Sequence, residues 1–168
     1  MTRSEAREQA FILLFEKIFN PEQSVEEMKA VAEECGTFTM DDFSVRLSTV
    51  AVDHTDECDR RIEENLRGWK LSRLPKVTLA ILRLALAEIL FCDDIPDSVS
   101  VNEAVELAKK YGGEEAPKFV NGLLGTVVRS KTPAVKAPTP TEPADAPAAE
   151  QAADEDAPAE PAEETAAE

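Results

Sequence analysis

The longest apolar segment of the chain runs from Leu74 to Cys92, LPKVTLAILRLALAEILFC, and is hydrophobic on nearly every side when drawn as a helix. A helix that is apolar all round must be buried by its neighbours. Pro75 suits the first turn of such a helix, and the segment from Asp93 to Pro96 cannot continue it. It is too short and too charged to span a bilayer, since a membrane helix needs about 20 mostly apolar residues. The pattern therefore predicts the central helix of a globular domain.

One stripe of this predicted helix carries small and basic side chains at helical spacing: Lys76, Ala80, Arg83 and Ala87. The alanines allow a neighbouring helix to approach closely, and the basic side chains reach past it toward water. We expect Arg83 to be a structural arginine that snorkels or forms an ion pair, because buried charges are usually paired.

Amphipathic patterns predict further helices on both sides of the central one. Apolar residues recur on one helical face from Arg3 to Phe19. They do so again from Phe43 to Leu66, in a segment that is either one helix of about 25 residues or a helix broken once. No segment alternates with the period of a strand. The predicted fold is all-α, a helical bundle of six to seven helices, with two groups flanking Pro75.

Polar residues mark where several of these helices begin. Ser24 with Glu27, and Ser100 with Glu103, have the spacing of a capping box. In such a box each of the two side chains accepts a hydrogen bond from the backbone N–H of the other residue. The segment from Glu114 to Pro117 suits the first turn of a last helix, where acids and proline are favoured.

The sequence offers no set of metal ligands. His54, the only histidine, falls on the apolar stripe of the Phe43–Leu66 segment and is expected at the edge of the core. No second histidine and no cysteine or carboxylate pair lies at ligand spacing beside it, so we predict no metal and no cofactor. Cys35, Cys58 and Cys92 match no metal or redox motif and are expected as small residues of a reduced interior.

Composition divides the chain near Thr132. From Pro133 to Glu168 the sequence holds seven of the 11 prolines, ten acidic residues and one lysine, Lys136, within a net charge of -16 for all 168 residues. Such a segment buries too little apolar surface to offset its chain entropy, so a disordered acidic tail is predicted at 133–168. Residues 1–132 form one predicted domain of ordinary size. This domain remains mildly acidic and gives no global signal for nucleic acid.

The sequence contains no signature of catalysis or export. Glycine-rich phosphate loops, nucleophile elbows and paired helical histidines are all absent, so we predict that the protein is not an enzyme. The N-terminus, MTRSEAREQAF, is charged from its third residue and has no apolar run before a cleavage site. We therefore predict a cytoplasmic protein that does not associate with membranes.

Specific strings of residues carry a family resemblance. Between Val77 and Gly125 the chain reads VTLAILRLALAEIL, then DIP, then VNEAVELAKKYGGEEAPKFVNGLLG, and its N-terminus reads SEAREQAFILLF. Together these strings closely resemble the NusB family of bacterial transcription antitermination factors. The resemblance covers about residues 3–130.

The resemblance implies an all-α fold of two helical subdomains with a defined set of partners. Family members bind the single-stranded boxA element of ribosomal RNA leader transcripts together with NusE, a small-subunit ribosomal protein, and help RNA polymerase read through terminators. The RNA-binding positions implied in this chain are Arg3, Arg7, Glu115, Lys118 and Phe119. The implied NusE-binding positions are Phe15 and Thr78, the latter on the exposed side of the central helix.

Three questions remain open from the residues. Phe119 is either a stacking platform for bases or a core side chain, since it lies on the apolar side of its helix. The N-terminus has only Arg3 and Arg7 where family members carry a run of arginines, so a scaffold or homodimer that does not bind RNA is the alternative function. The acidic tail is either a solubilising appendage or a competitor of RNA for the N-terminal bases.

Overall fold

The computed structural model describes residues 1–131, and this part of the chain is helical, with no strand. Its seven α-helices confirm the all-α prediction of six to seven helices. A 3-10 turn, Leu71–Arg73, lies between the fourth and fifth helices. The helices are α1 (Arg3–Phe19), α2 (Val25–Glu34), α3 (Asp42–Asp53), α4 (Thr55–Glu64), α5 (Lys76–Phe91), α6 (Asp97–Tyr111) and α7 (Ala116–Lys131).

The central helix is α5, as the apolar pattern predicted. From Thr78 to Ile89 every residue is buried except Arg83, which is half-buried. Helices α1, α3 and α4 pack on one side of it, and α6 and α7 pack on the other. Both groups thus contribute to one continuous apolar core around α5. Arg83 forms a bidentate ion pair with Asp59 of α4, with nitrogen-oxygen distances of 2.7 and 2.8 Å, which confirms the expected structural role.

The helix starts predicted at Arg3 and directly after Ser24 are confirmed. At both, the capping residue directly precedes the helix. Thr2 caps α1 and Ser24 caps α2, each in a reciprocal capping box. The box predicted at Ser100 is wrong, because α6 already begins at Asp97, directly after Pro96. Ser100 is buried in that helix instead, and its hydroxyl donates to Glu88 over 2.8 Å.

The Phe43–Leu66 segment is broken once. His54 has φ −109° and ψ 22°, which ends α3 and begins α4 in a new direction. The expectation that His54 lies at the core edge is wrong. Its ring is exposed and stacks on Phe91 with a centroid separation of 3.8 Å.

The cysteines are free and occupy two environments. Cys58 and Cys92 are buried as expected, whereas Cys35 is exposed at the end of α2. Burial raises the pKa of the Cys58 thiol to about 12, so this side chain is an apolar core residue at neutral pH. No cluster of three metal-ligating side chains and no membrane-spanning helix occurs within residues 1–131. The predicted tail at 133–168 and the boundary at 132 lie outside the described residues.

Candidate nucleic-acid interface

A groove of about 860 Å³ opens between the α4–α5 connection, the start of α5 and the α6–α7 connection. We call it the aromatic groove because Trp69, Tyr111 and Phe119 border it. Four of the predicted site residues also border it: Thr78, Glu115, Lys118 and Phe119. Fold topology therefore unites positions that lie about 40 residues apart in sequence.

Phe119 lies at the surface of the aromatic groove. Its side chain is 37% exposed, whereas the neighbouring Val120 is fully buried. The core alternative for Phe119 is thus excluded. Lys118 and Glu115 are also exposed, so the first turn of α7 and the residue before it present an aromatic ring, a cation and a carboxylate to solvent.

Gly112 fixes the connection that carries this first turn. A Cβ at position 112 would lie 2.5 Å from the Cβ of Ala116 and 2.7 Å from the carbonyl oxygen of Ala108. Only glycine allows the chain to pass so close to both helices. The backbone of Gly113 also accepts a hydrogen bond from Ala116 over 3.0 Å, which ties the start of α7 to the end of α6.

Tyr111 is held at the groove by helix α1. Its ring centroid lies 4.9 Å from that of Phe11, and its hydroxyl donates to Glu8. Burial opposes ionisation of Glu8, but hydrogen bonds from Lys110 and Tyr111 outweigh it and lower the pKa of this carboxyl. The same hydrogen bond raises the pKa of Tyr111. The tyrosine ring is therefore a fixed, neutral wall of the groove.

The predicted partner residue Phe15 connects to this wall through aromatic contacts. It is half-buried, and its ring centroid lies 6.4 Å from that of Phe11. On its other side it meets Phe19 edge-on at 5.3 Å, and Phe19 is 60% exposed. Sequence reasoning missed Phe19, although a phenylalanine directly before the helix stop at Asn20 was a usable signal.

The second predicted partner residue, Thr78, is less accessible than expected. It was predicted on an exposed side of the central helix, but its side chain is only 4% exposed. The reason is that the neighbouring helices bury α5 from Thr78 onward, with Arg83 the only half-buried residue before Leu90. Thr78 borders the aromatic groove with little surface of its own.

Arg7, one of the predicted RNA contacts, is buried inside the fold. Its guanidinium is buried, and its Nε donates to both carboxylate oxygens of Glu88, at 2.9 and 3.1 Å. A buried carboxylate requires such a partner. The signal was present in the sequence, because Glu88 is the only acid inside the apolar central helix and needs a cation from a neighbouring helix.

Arg3 remains exposed but does not border the aromatic groove. Its guanidinium lies 4.0 Å from the ring centroid of Phe43. The neighbouring Ser4 hydrogen-bonds to Glu103 in the middle of α6, whereas the groove lies at the end of that helix. Glu103 and Tyr111 at the end of α6 are eight residues apart, and a rise of 1.5 Å per residue separates them by about 12 Å along the helix.

Comparisons with known proteins agree with this fold. The model of the NusB family matches residues 4–129. The transcription antitermination protein NusB of Clostridium novyi is 41% identical over 133 residues, which are 77% of this chain and 100% of the relative. The corresponding protein of Agathobacter rectalis is 45% identical over 127 residues, or 74% and 97% of the two chains.

Solved structures give the same assignment. NusB of T. maritima superposes with a TM-score of 0.69 at 31% identity, over 79% of this chain and 94% of that one. A crystal structure of antitermination factors NusB and NusE in complex with double-stranded RNA contains a chain with a TM-score of 0.66 and 33% identity, over 77% and 99%. The protein thus belongs to the NusB family, whose members are transcription antitermination factors and not enzymes.

Proposed function

We propose that the protein binds single-stranded boxA RNA of ribosomal leader transcripts together with NusE, and that the complex promotes read-through by RNA polymerase in the cytoplasm. The observation that carries the proposal is the aromatic groove, in which Glu115, Lys118 and Phe119 lie together on one exposed turn. A related NusB chain that has been solved in complex with NusE and RNA supports it.

The chemistry of this turn suits a single strand of RNA. An exposed aromatic ring stacks on a base, and stacking is worth roughly 1–3 kcal/mol per base. Lys118 next to Phe119 can neutralise a phosphate, and the N-terminus of α7 favours an anion as well. Glu115 can accept hydrogen bonds from base amino groups, which gives the site a means of discriminating bases.

Helix α1 supplies the proposed NusE surface. Phe15 and the more exposed Phe19 present apolar area at one end of the helix. Aromatic side chains at protein interfaces often contribute much of the binding energy. The contact from Phe15 through Phe11 to Tyr111 links this surface to the groove, so that NusE and RNA can bind side by side.

Fluorescence anisotropy of a short boxA RNA tests the proposal, with and without NusE and against a scrambled strand. We expect specific binding of boxA that NusE tightens. The variant Phe119→Ala is expected to weaken RNA binding about tenfold. The variant Phe91→Ala is a matched control, because Phe91 is also 37% exposed but stacks on His54 outside the groove.

The opposite result is equally clear. If NusE binds while neither boxA nor the scrambled strand does, the protein is a scaffold that lacks RNA contact. Analytical ultracentrifugation then distinguishes a NusE-binding monomer from a homodimer, the alternative raised by the short run of N-terminal arginines.

A further inference from the structure

The α4–α5 connection concentrates cationic side chains that have no acidic partner within the described part of the chain. Arg67, Lys70 and Arg73 lie in this connection and Lys76 begins α5, and all four are exposed. Within residues 1–131 none of these side chains makes an ion pair or a hydrogen bond. The sequence contains no acid between Glu64 and Glu88, although the chain as a whole is strongly acidic.

The other cations of the neighbouring helices α4 and α5 differ from these four, because they form ion pairs. On α4, Arg60 and Arg61 both pair with Glu57, and Arg83 of α5 pairs with Asp59. Within residues 1–131, nine of the 17 lysine and arginine side chains form an ion pair with a carboxylate. Four cations that follow one another in the sequence and form no ion pair within residues 1–131 make a local positive potential that attracts a polyanion.

Trp69 lies in the middle of these cations. It is the only tryptophan of the chain, and its side chain is 65% exposed. Gly68 precedes it with φ +75°, a conformation that favours glycine and turns the chain at this point. Leu66 and Leu74 are buried on either side, so both ends of the connection are anchored in the core. The tryptophan is thus presented to solvent from a fixed loop, where a large apolar ring marks an interaction site.

The geometry places this loop opposite the turn that is proposed to bind RNA. Trp69 and Arg73 border the aromatic groove from the α4–α5 connection, while Phe119 and Lys118 border it from α7. Each wall therefore offers one exposed aromatic ring and one cation that forms no ion pair within residues 1–131.

We propose that the α4–α5 connection is a second contact for the same single strand of RNA, and this inference rests on the proposed function. Trp69 stacks on one base, while Arg73, Lys70 and Arg67 contact phosphates. A base can reach the ring of Trp69 only when it is unstacked, so the site selects single-stranded over double-stranded RNA. Stacking rings combined with a positive groove are the general means of holding such strands.

The single tryptophan allows a direct test. In the full-length protein, titration with boxA RNA is expected to quench the fluorescence of Trp69. Trp69→Ala is expected to weaken RNA binding about tenfold, whereas Trp69→Phe retains most of the affinity because a ring remains. Phe91→Ala is the control for loss of an exposed ring, and circular dichroism checks that each variant is folded.

The cations have their own measurement. Arg73→Ala is expected to reduce the slope of log affinity against log salt by about 0.7, the value for one phosphate contact on a single strand. Lys29→Ala on α2 is the control, since Lys29 is paired with Glu33 outside the groove and should leave the slope unchanged.

The outcomes separate the two proposals. If boxA binds and Phe119→Ala weakens it, while Trp69→Ala has no effect and the fluorescence is not quenched, the second contact is overturned and the proposed function stands. If no RNA binds with or without NusE, both fall. Loss of NusE binding in Trp69→Ala with unchanged RNA affinity assigns the loop to protein and overturns the RNA contact. Equal competition by a duplex would overturn the single-strand preference.

Discussion

Two groups of cations in this protein have opposite surroundings. Arg7 belongs to the N-terminal sequence that resembles an RNA-binding region, but it is buried against Glu88. Arg73 belongs to a connection that the resemblance did not single out, but it is exposed, unpaired within the described residues, and borders the aromatic groove. The difference shows that a basic residue is available to RNA only when the fold has not already supplied its carboxylate.

Three ion pairs of the protein can be ordered by the exposure of their side chains. The side chains of Arg7 and Glu88 are 5% and 2% exposed, and those of Arg83 and Asp59 are 19% and 21% exposed. Arg46 and Asp94 complete the series at 45% and 61%. Because water screens exposed charges, the stabilising effect should fall along this series.

The largest effect is expected from Arg7→Ala. This change leaves the Glu88 carboxylate buried without its cation, which costs about 3–5 kcal/mol of the free energy of unfolding. The hydrogen bond from Ser100 stays in place but is too weak to compensate. Urea denaturation measures the loss directly.

Arg3→Ala is the matched control on the same helix. Arg3 is exposed, so its removal should change the free energy of unfolding by less than about 0.5 kcal/mol. Stability unchanged in Arg7→Ala, together with weaker RNA binding, would contradict the structural role and return Arg7 to the RNA surface.

The middle of the series predicts a smaller effect. Arg83→Ala breaks a half-buried bidentate pair with Asp59, and we expect a loss of about 1–2 kcal/mol, between the values for surface and buried pairs. Arg46→Ala is the control, since its partner Asp94 is solvent-exposed and the pair should contribute little. Urea denaturation measures the free energy of unfolding of both variants. Equal losses would show that exposure does not determine how much these ion pairs stabilise the fold.

Local patterns in the sequence were sufficient for much of the fold. The apolar segment around α5 and the capping box at Ser24 required only neighbouring residues, and both predictions are confirmed. The prediction at Ser100 failed because Pro96 starts the helix earlier and because Glu88, a residue of another helix, binds the serine hydroxyl. Capping patterns cannot show such a competing partner.

The candidate site was harder to predict for the same reason. Lys118 and Phe119 were found through the resemblance, and the structure places them together in the groove. Trp69 and Arg73 join them only through the packing of α4, α5 and α7, which no short spacing reveals. A search for cations with no acid nearby in sequence would have found the α4–α5 connection, since the stretch after Glu64 has none until Glu88.

The smallest effect is expected from the acidic C-terminal sequence. Deleting Pro133 to Glu168 removes ten acids and one lysine and changes the net charge from -16 to -7. The shortened protein repels the RNA phosphates less strongly, so we expect several-fold tighter boxA binding at low salt. The difference should disappear at 0.5 M salt, where the screening length is only about 4 Å. Anisotropy titrations at the two salt concentrations measure it.

A second variant separates charge from chain length in this comparison. Replacing the ten acids by glutamine and asparagine keeps the length of the sequence after Thr132 and removes its charge. If the negative charge of this sequence competes with RNA for the cations of the groove, the variant binds boxA as tightly as the deletion does at low salt. Binding equal to that of the unchanged protein in both variants would contradict competition with RNA and leave the acidic sequence as a solubilising appendage.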